Sequence, residues 1–140
     1  MTAQPFIIYR DIKLALNWQN GGLQVEDLPA RPGIYAEVYK PLMGVRIGET
    51  GVSIRGKIRH DIRWFNSMRD GTAPQAQLRR TLPIAQAAKA TGAIGFEFHV
   101  VSVDLRLADK KLRQDCERFL FDWVRRSDGL TDWNRQRSWR

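Results

Sequence analysis

Along parts of the chain apolar residues recur at every second position, along others at every third or fourth, and the switches between these periods outline the elements. Phe6 to Tyr9 is a short β-prone run, and Ile12, Leu14, Leu16 and Trp18 mix strand and helix signals. Asn20-Gly21-Gly22 reads as a turn, and Leu28-Pro29-Ala30-Arg31-Pro32 as an extended lead-in, because residues before proline avoid the helical region. Gly33 to Tyr39, carrying Ile34, Tyr35, Val38 and Tyr39, predicts a strand. Lys40 to Gly44 makes a turn and Val45 to Gly48 returns. A connection this short joins antiparallel strands, since parallel ones need a crossover of a dozen or more residues.

Ser53 then offers an N-cap, and Ile54, Ile58, Ile62 and Phe65 follow at spacings of 4, 4 and 3, one face of a helix that ends near Arg69-Asp70-Gly71. Arg55, Arg59 and Arg63 form a second stripe on it. A further helical stretch from Gln75 to Thr91 contains Pro83, which implies a break or kink. Phe96, Phe98 and Val100 alternate with Glu97, His99 and Val101, so Ile94–Val103 predicts a third strand. Leu112, Cys116, Phe119, Leu120 and Trp123 make Ala108–Arg126 an amphipathic helix. The tail interleaves Trp133 and Trp139 with Arg135, Arg137 and Arg140. Hairpin, helix, helix, strand, helix is an α+β order within one domain. Residues 1–31 read as an N-terminal extension, 32–135 as the domain and 136–140 as a basic tail.

Charge adds a partner to this picture. The net charge is +8 and the pI about 10.2, the footprint of a nucleic-acid binder. Residues 1–50 hold five basic and five acidic side chains, whereas 51–140 hold 18 basic against 10 acidic, so a polyanion is drawn to the second part. The single cysteine, Cys116, excludes an internal disulfide and a multi-cysteine zinc site, and reads as a small core residue. No apolar run approaches the ~18 residues of a membrane span, and Arg10, Asp11 and Lys13 interrupt any signal-peptide pattern, so the expectation is a cytoplasmic protein. No serine lies in a nucleophile-elbow context, and Gly48-Glu49-Thr50-Gly51 lacks the lysine and spacing of a P-loop.

Two short motifs sharpen the function. Pro32-Gly33-Ile34-Tyr35, then ten residues, then Arg46-Ile47-Gly48-Glu49-Thr50 resembles the paired signature of the GIY-YIG nuclease superfamily over about residues 32–135. The resemblance implies a small three-stranded antiparallel sheet flanked by helices, with both tripeptides on neighbouring strands. It implies a Mg²⁺- or Mn²⁺-dependent DNA endonuclease with one metal site. Glu117 in the last predicted helix takes the place of the family's metal-binding glutamate, and one carboxylate with retained waters suffices for Mg²⁺. Tyr35 takes the place of the proton acceptor for water, and His60 that of a histidine aiding proton transfer. Arg46 stands where the family has its second tyrosine; it stays protonated and cannot act as a base, but can clamp a phosphate or favour the Tyr35 phenolate. Arg55, then Arg59, are the expected phosphate-stabilising arginines; Lys57, Arg63, Asn134 and Arg135 are expected DNA contacts.

Blander readings stand beside these. Glu117 is also placed to pair with Arg113 four residues earlier on a solvated helix face, Tyr35 to pack across the hairpin, and Asn134 to serve a turn. His99 reads as structural. The alternative to an enzyme is a catalytically inactive GIY-YIG-fold module that binds DNA. A basic RNA-binding or structural protein is a third option, hinted at by the Trp/Arg tail. With no separate targeting domain in this stretch, sequence choice falls to the extension, the 71–93 region, the tail or a partner protein. The nuclease reading requires Tyr35 and Glu117 to face one another across a cationic pocket.

Overall fold

A computed structural model describes residues 6–16, 18, 21–72 and 82–134. Its centre is strand β3 (Gly33–Tyr39), which pairs antiparallel with β4 (Gly44–Thr50) on one side and with β5 (Glu97–Ser102) on the other. The expected hairpin is there, closed by a 3₁₀ turn at Lys40–Leu42 and by Met43 at φ 48°. A short strand the periodicity does not reveal, β6 (Thr131–Asp132), runs parallel to β4 through Gly44 and Val45. The sheet is therefore four-stranded and mixed, in the order β5-β3-β4-β6, where three antiparallel strands were expected. Two residues are too few to show alternation, which is why the tail hides it.

Both faces of the sheet are covered, and this explains why every residue of β3 is buried. On one face, helix α1 (Ile54–Asp70) lays Ile54, Ile58, Phe65 and Met68 against Tyr35 and Tyr39. Ser53 caps it by accepting a hydrogen bond from Gly56 N at 3.0 Å, and Gly71 ends it at φ 74°, as the residue types predict. Helix α2 (Pro83–Thr91) joins this core through Ile84, Ala85 and Ala88. Pro83 does not kink it but starts it, at the first turn where a missing N–H costs nothing; the expected stretch from Gln75 to residue 81 lies outside the described residues. Ile94 belongs to a 3₁₀ turn (Gly92–Gly95) and not to the strand, which begins at Glu97.

The other face carries helix α3 (Lys110–Arg126), capped by Asp109, with Cys116, Leu120 and Val124 packed on Ile34, Ala36, Val38, Val45 and Ile47. Against the same core lies a hairpin of β1 (Phe6–Tyr9) and β2 (Ile12–Ala15), which contributes the fully buried Ile12 and Leu14. Arg10 and Asp11 both take positive φ, the backbone twist a two-residue hairpin turn prefers. Among the described residues no helix is long and apolar enough to cross a membrane. The architecture is α+β.

Candidate active site

The two tripeptides meet by register. Tyr35 is paired with Gly48 and Glu37 with Arg46 across β3 and β4, all four on the face toward α1. The phenol end of Tyr35 covers Gly48: a Cβ there would clash with Cζ and Oη, with Cε2 at 2.7 Å. Glycine is thus the residue the tyrosine requires, and the phenol end is carried off β3 and across β4. Tyr35 itself has no exposed surface.

Beside it Arg46 Nη1 donates to Glu37 Oε1 at 2.7 Å and to Asp61 Oδ2 of α1 at 3.4 Å. Glu37 is wholly buried, and the side chains of Arg46 and Asp61 are 17% and 11% exposed, so one cation serves two carboxylates in a low-dielectric setting. Burial, and then the charge of Asp61, push the Glu37 carboxyl well above its ordinary range despite Arg46. Burial also acts upward on Asp61 but is outweighed by hydrogen bonding to Glu37 and by the charges of Arg46 and Lys57, so Asp61 is held low. Desolvation opposes the charge on Arg46, yet Glu37, Tyr35 and Asp61 together raise its pKa. Around the cationic Arg46, Glu37 thus holds its proton more tightly than an ordinary carboxyl and Asp61 releases its own more readily.

These opposite shifts set a pH dependence. Glu37 holds its proton more tightly when folded, so its contribution to stability is complete below its ordinary value of 4.5 and is lost as pH rises through the higher folded value. Asp61 contributes above its ordinary 3.8 and loses that contribution as pH falls through the lower folded value. Glu37→Gln, which imitates the protonated acid, is expected to flatten the decline of Tm on the alkaline side and leave the acid limb in place. Thermal melts across the acid-to-neutral range check this; an unchanged alkaline slope would mean Glu37 is ionised in the fold.

Helix α1 presents different residues on its two flanks. Asp61 faces β4, and Lys57 and His60 lie on that same flank, where an open depression of about 290 Å³ is lined by Thr50, Val52, Ser53, Gly56, Lys57 and His60. Arg59 is two residues from Lys57, hence ~160° around the helix at ~100° per residue. The expected stripe of Arg55, Arg59 and Arg63 therefore looks away from Arg46. Arg55 is further committed: Nε donates to Leu28 O at 2.8 Å and Nη2 to Glu26 O at 3.2 Å, fastening the lead-in segment to the helix. Two of its nitrogens are thereby engaged by backbone carbonyls. Arg59 and Arg63 are exposed.

Glu117 lies on α3, nearly buried, at the border of the seam made by Cys116 and Leu120. One turn before it Arg113 donates from Nε to Glu49 Oε1 of β4 at 2.5 Å and from Nη1 to Leu107 O at 3.0 Å, so the arginine is tied to the strand. Tyr35 and Glu117 belong to elements packed on opposite faces of the sheet, Tyr35 toward α1 and Glu117 on α3, which departs from the expected arrangement of the two facing one another across one cationic pocket; what they share is the border of β4, the phenol over Gly48 and the helix alongside the strand. Asn134 sits on that edge, its Oδ1 accepting from Ile47 N at 2.6 Å, which prolongs the pairing begun by Trp133 N with Val45 O. Being buried, it caps the sheet and does not present its carbonyl to DNA, whereas its buried Nδ2 has no hydrogen-bond partner among the described residues. Arg135 lies outside the described residues. Among the described residues no group of three or more His, Cys, Asp or Glu assembles to hold a metal.

Sequence reasoning passes over Glu37 and Asp61. The signal was present in both: a carboxylate within the apolar run Ile34–Tyr39, and another within the seam Ile54, Ile58, Phe65. Charged residues at core-periodic positions are rarely fully buried unless paired. No family model, no curated protein and no solved structure matches this chain.

Proposed function

We propose that this chain is a divalent-metal-dependent DNA endonuclease that hydrolyses phosphodiester bonds with a GIY-YIG-type arrangement built around β4. The observation that carries the reading is the Tyr35 ring laid across Gly48 with Arg46 beside it, which gives both tripeptides one common structural purpose. A three-stranded antiparallel core, β5-β3-β4, with helices on both faces agrees with it, β6 being an addition at the edge. So does the basic second part of the chain.

The donor chemistry suits Mg²⁺ or Mn²⁺: Glu117 is a nearly buried carboxylate, a hard oxygen ligand, and such ions need one or two carboxylates with waters retained. When bound, the ion supplies Lewis acidity and a template for the phosphate. The chain's own residues do the rest. Lys57 at the depression offers a point charge to a backbone phosphate. Arg46 keeps a fixed cation next to the phenol, a placement that favours the phenolate, while its bonds to Glu37 and Asp61 leave it poorly placed to clamp DNA. Arg59 and Arg63 on the far flank serve the approach of the duplex and not the scissile bond.

Cleavage assays in Mg²⁺ or Mn²⁺ test this. Tyr35→Phe keeps the ring over Gly48 and removes only the hydroxyl; it is expected to slow cutting by the folded protein by about 10²-fold. Full activity of that variant would remove the phenol from the mechanism. One observation favours a second reading, a module that grips DNA without cutting: Tyr35 has no surface open to water. Salt-dependent binding with no nicking of single-stranded, duplex or branched DNA selects it.

A further inference from the structure

We propose that Asp61 is a positioning residue that holds His60 for proton transfer at the cleavage site. This rests on the nuclease reading above and adds to it a residue that neither tripeptide contains. Position 61 belongs to the buried seam of α1, with Ile58 before it and Phe65 after it. A leucine would fill that place without the desolvation cost of a carboxylate. Balancing Arg46 engages Oδ2 of this carboxylate, at 3.4 Å, and leaves the placement of Oδ1 to be explained.

The geometry points outward instead. Asp61 divides its two oxygens: Oδ2 faces Arg46 in the interior, and Oδ1 faces Nδ1 of His60 at 3.5 Å. His60 is the exposed end of this chain of contacts, its side chain 65% accessible, on the rim of the depression that Lys57 also lines. Such pairs are often long in the free protein and tighten when the ring gains a proton. With Nδ1–H donated to Asp61, Nε2 is the free acceptor of an exposed ring on the rim of the depression. Asp61 and Lys57 are the charged groups of α1 on this flank, the first steadying an imidazolium and the second a phosphate; Thr50 of β4 lines the same seat without a charge.

In the step this implies, a water oxygen forms its bond to phosphorus as one of its protons passes to Nε2 of His60. The bond from phosphorus to the leaving sugar oxygen breaks, and that oxygen takes its proton from a second water.

Single-turnover cleavage in Mg²⁺ by wild type, His60→Ala, Asp61→Asn and the double variant tests the pairing, with kcat and KM measured for each. His60→Ala is expected to lower kcat about 10²-fold, Asp61→Asn at least about tenfold, both with little change in KM. The double variant is expected to cut no more slowly than His60→Ala, because Asp61 acts through the ring it holds. Added imidazole is expected to restore part of the His60→Ala rate; position 60 is exposed, so that variant tests the pair even if Asp61→Asn fails to fold. Effects that multiply independently, a wild-type rate for either single variant, or an absence of imidazole rescue would overturn the assignment while leaving the nuclease reading standing. A wild type that cuts no DNA in any metal ends both.

Discussion

Arg46→Ala is expected to cost about 3–5 kcal/mol of folding stability, a large share of the ~5–15 kcal/mol a domain of this size holds. The reason is asymmetry. Removing the guanidinium leaves an ionised Asp61 in a nearly buried setting and a wholly buried Glu37 that loses its hydrogen-bond donor. Glu37 cannot turn to water without opening α1 from the sheet, and Asp61 is held in the seam between Ile58 and Phe65 with little of its side chain exposed. Neutralising the whole network, with Arg46→Met, Glu37→Gln and Asp61→Asn together, is expected to recover most of that loss, because no buried charge then lacks its partner. Urea unfolding midpoints compare the two. A loss below about 1 kcal/mol for Arg46→Ala would mean the cluster is wetter than its burial suggests.

The largest effect on activity is expected from Glu117→Ala, a fall in DNA cleavage of at least about 10³-fold. DNA binding, which draws on Lys57, Arg59, Arg63 and the general basic charge, is expected to persist with its salt dependence unaltered. That split separates a metal ligand from a structural acid. A glutamate serving only α3 packing would, when truncated, lower Tm and leave the specific activity of the folded fraction intact. The arrangement of α3 makes the split testable: Arg113 is bonded to Glu49 and to the Leu107 carbonyl, so the anchoring of the helix to β4 does not depend on Glu117 alone.

Much of the fold was legible because its elements are long enough to show a period. Helix α1 runs 17 residues with a cap at each end written in Ser53 and Gly71, and its limits follow from the sequence. The β3–β4 hairpin follows from loop length alone. What escapes is short or set by tertiary contact. Strand β6 has two residues and exists because Trp133 stacks on Tyr39 beside Gly44, which has no Cβ to block the indole. The hairpin of β1 and β2 gives mixed signals because alternation over four residues is too brief to exclude a helix.

The site divides the same way. Tyr35 and Gly48 could be picked out as motif members, but that one must be glycine because the other lies on it emerges only from the register. The arginine stripe was easy to see, but equal spacing says that residues share a flank without saying which flank faces Arg46. Glu37 and Asp61 break an apolar pattern, and a carboxylate that breaks such a pattern signals a buried network whose members come from separate elements.

The most direct measurement is the nicking of supercoiled, single-stranded and branched DNA by the purified chain, with Mg²⁺ or Mn²⁺ supplied and then withdrawn by chelation. The account predicts strand breaks that need the ion and disappear with Glu117→Ala. Tight binding without a single metal-dependent break on any of these substrates would contradict it.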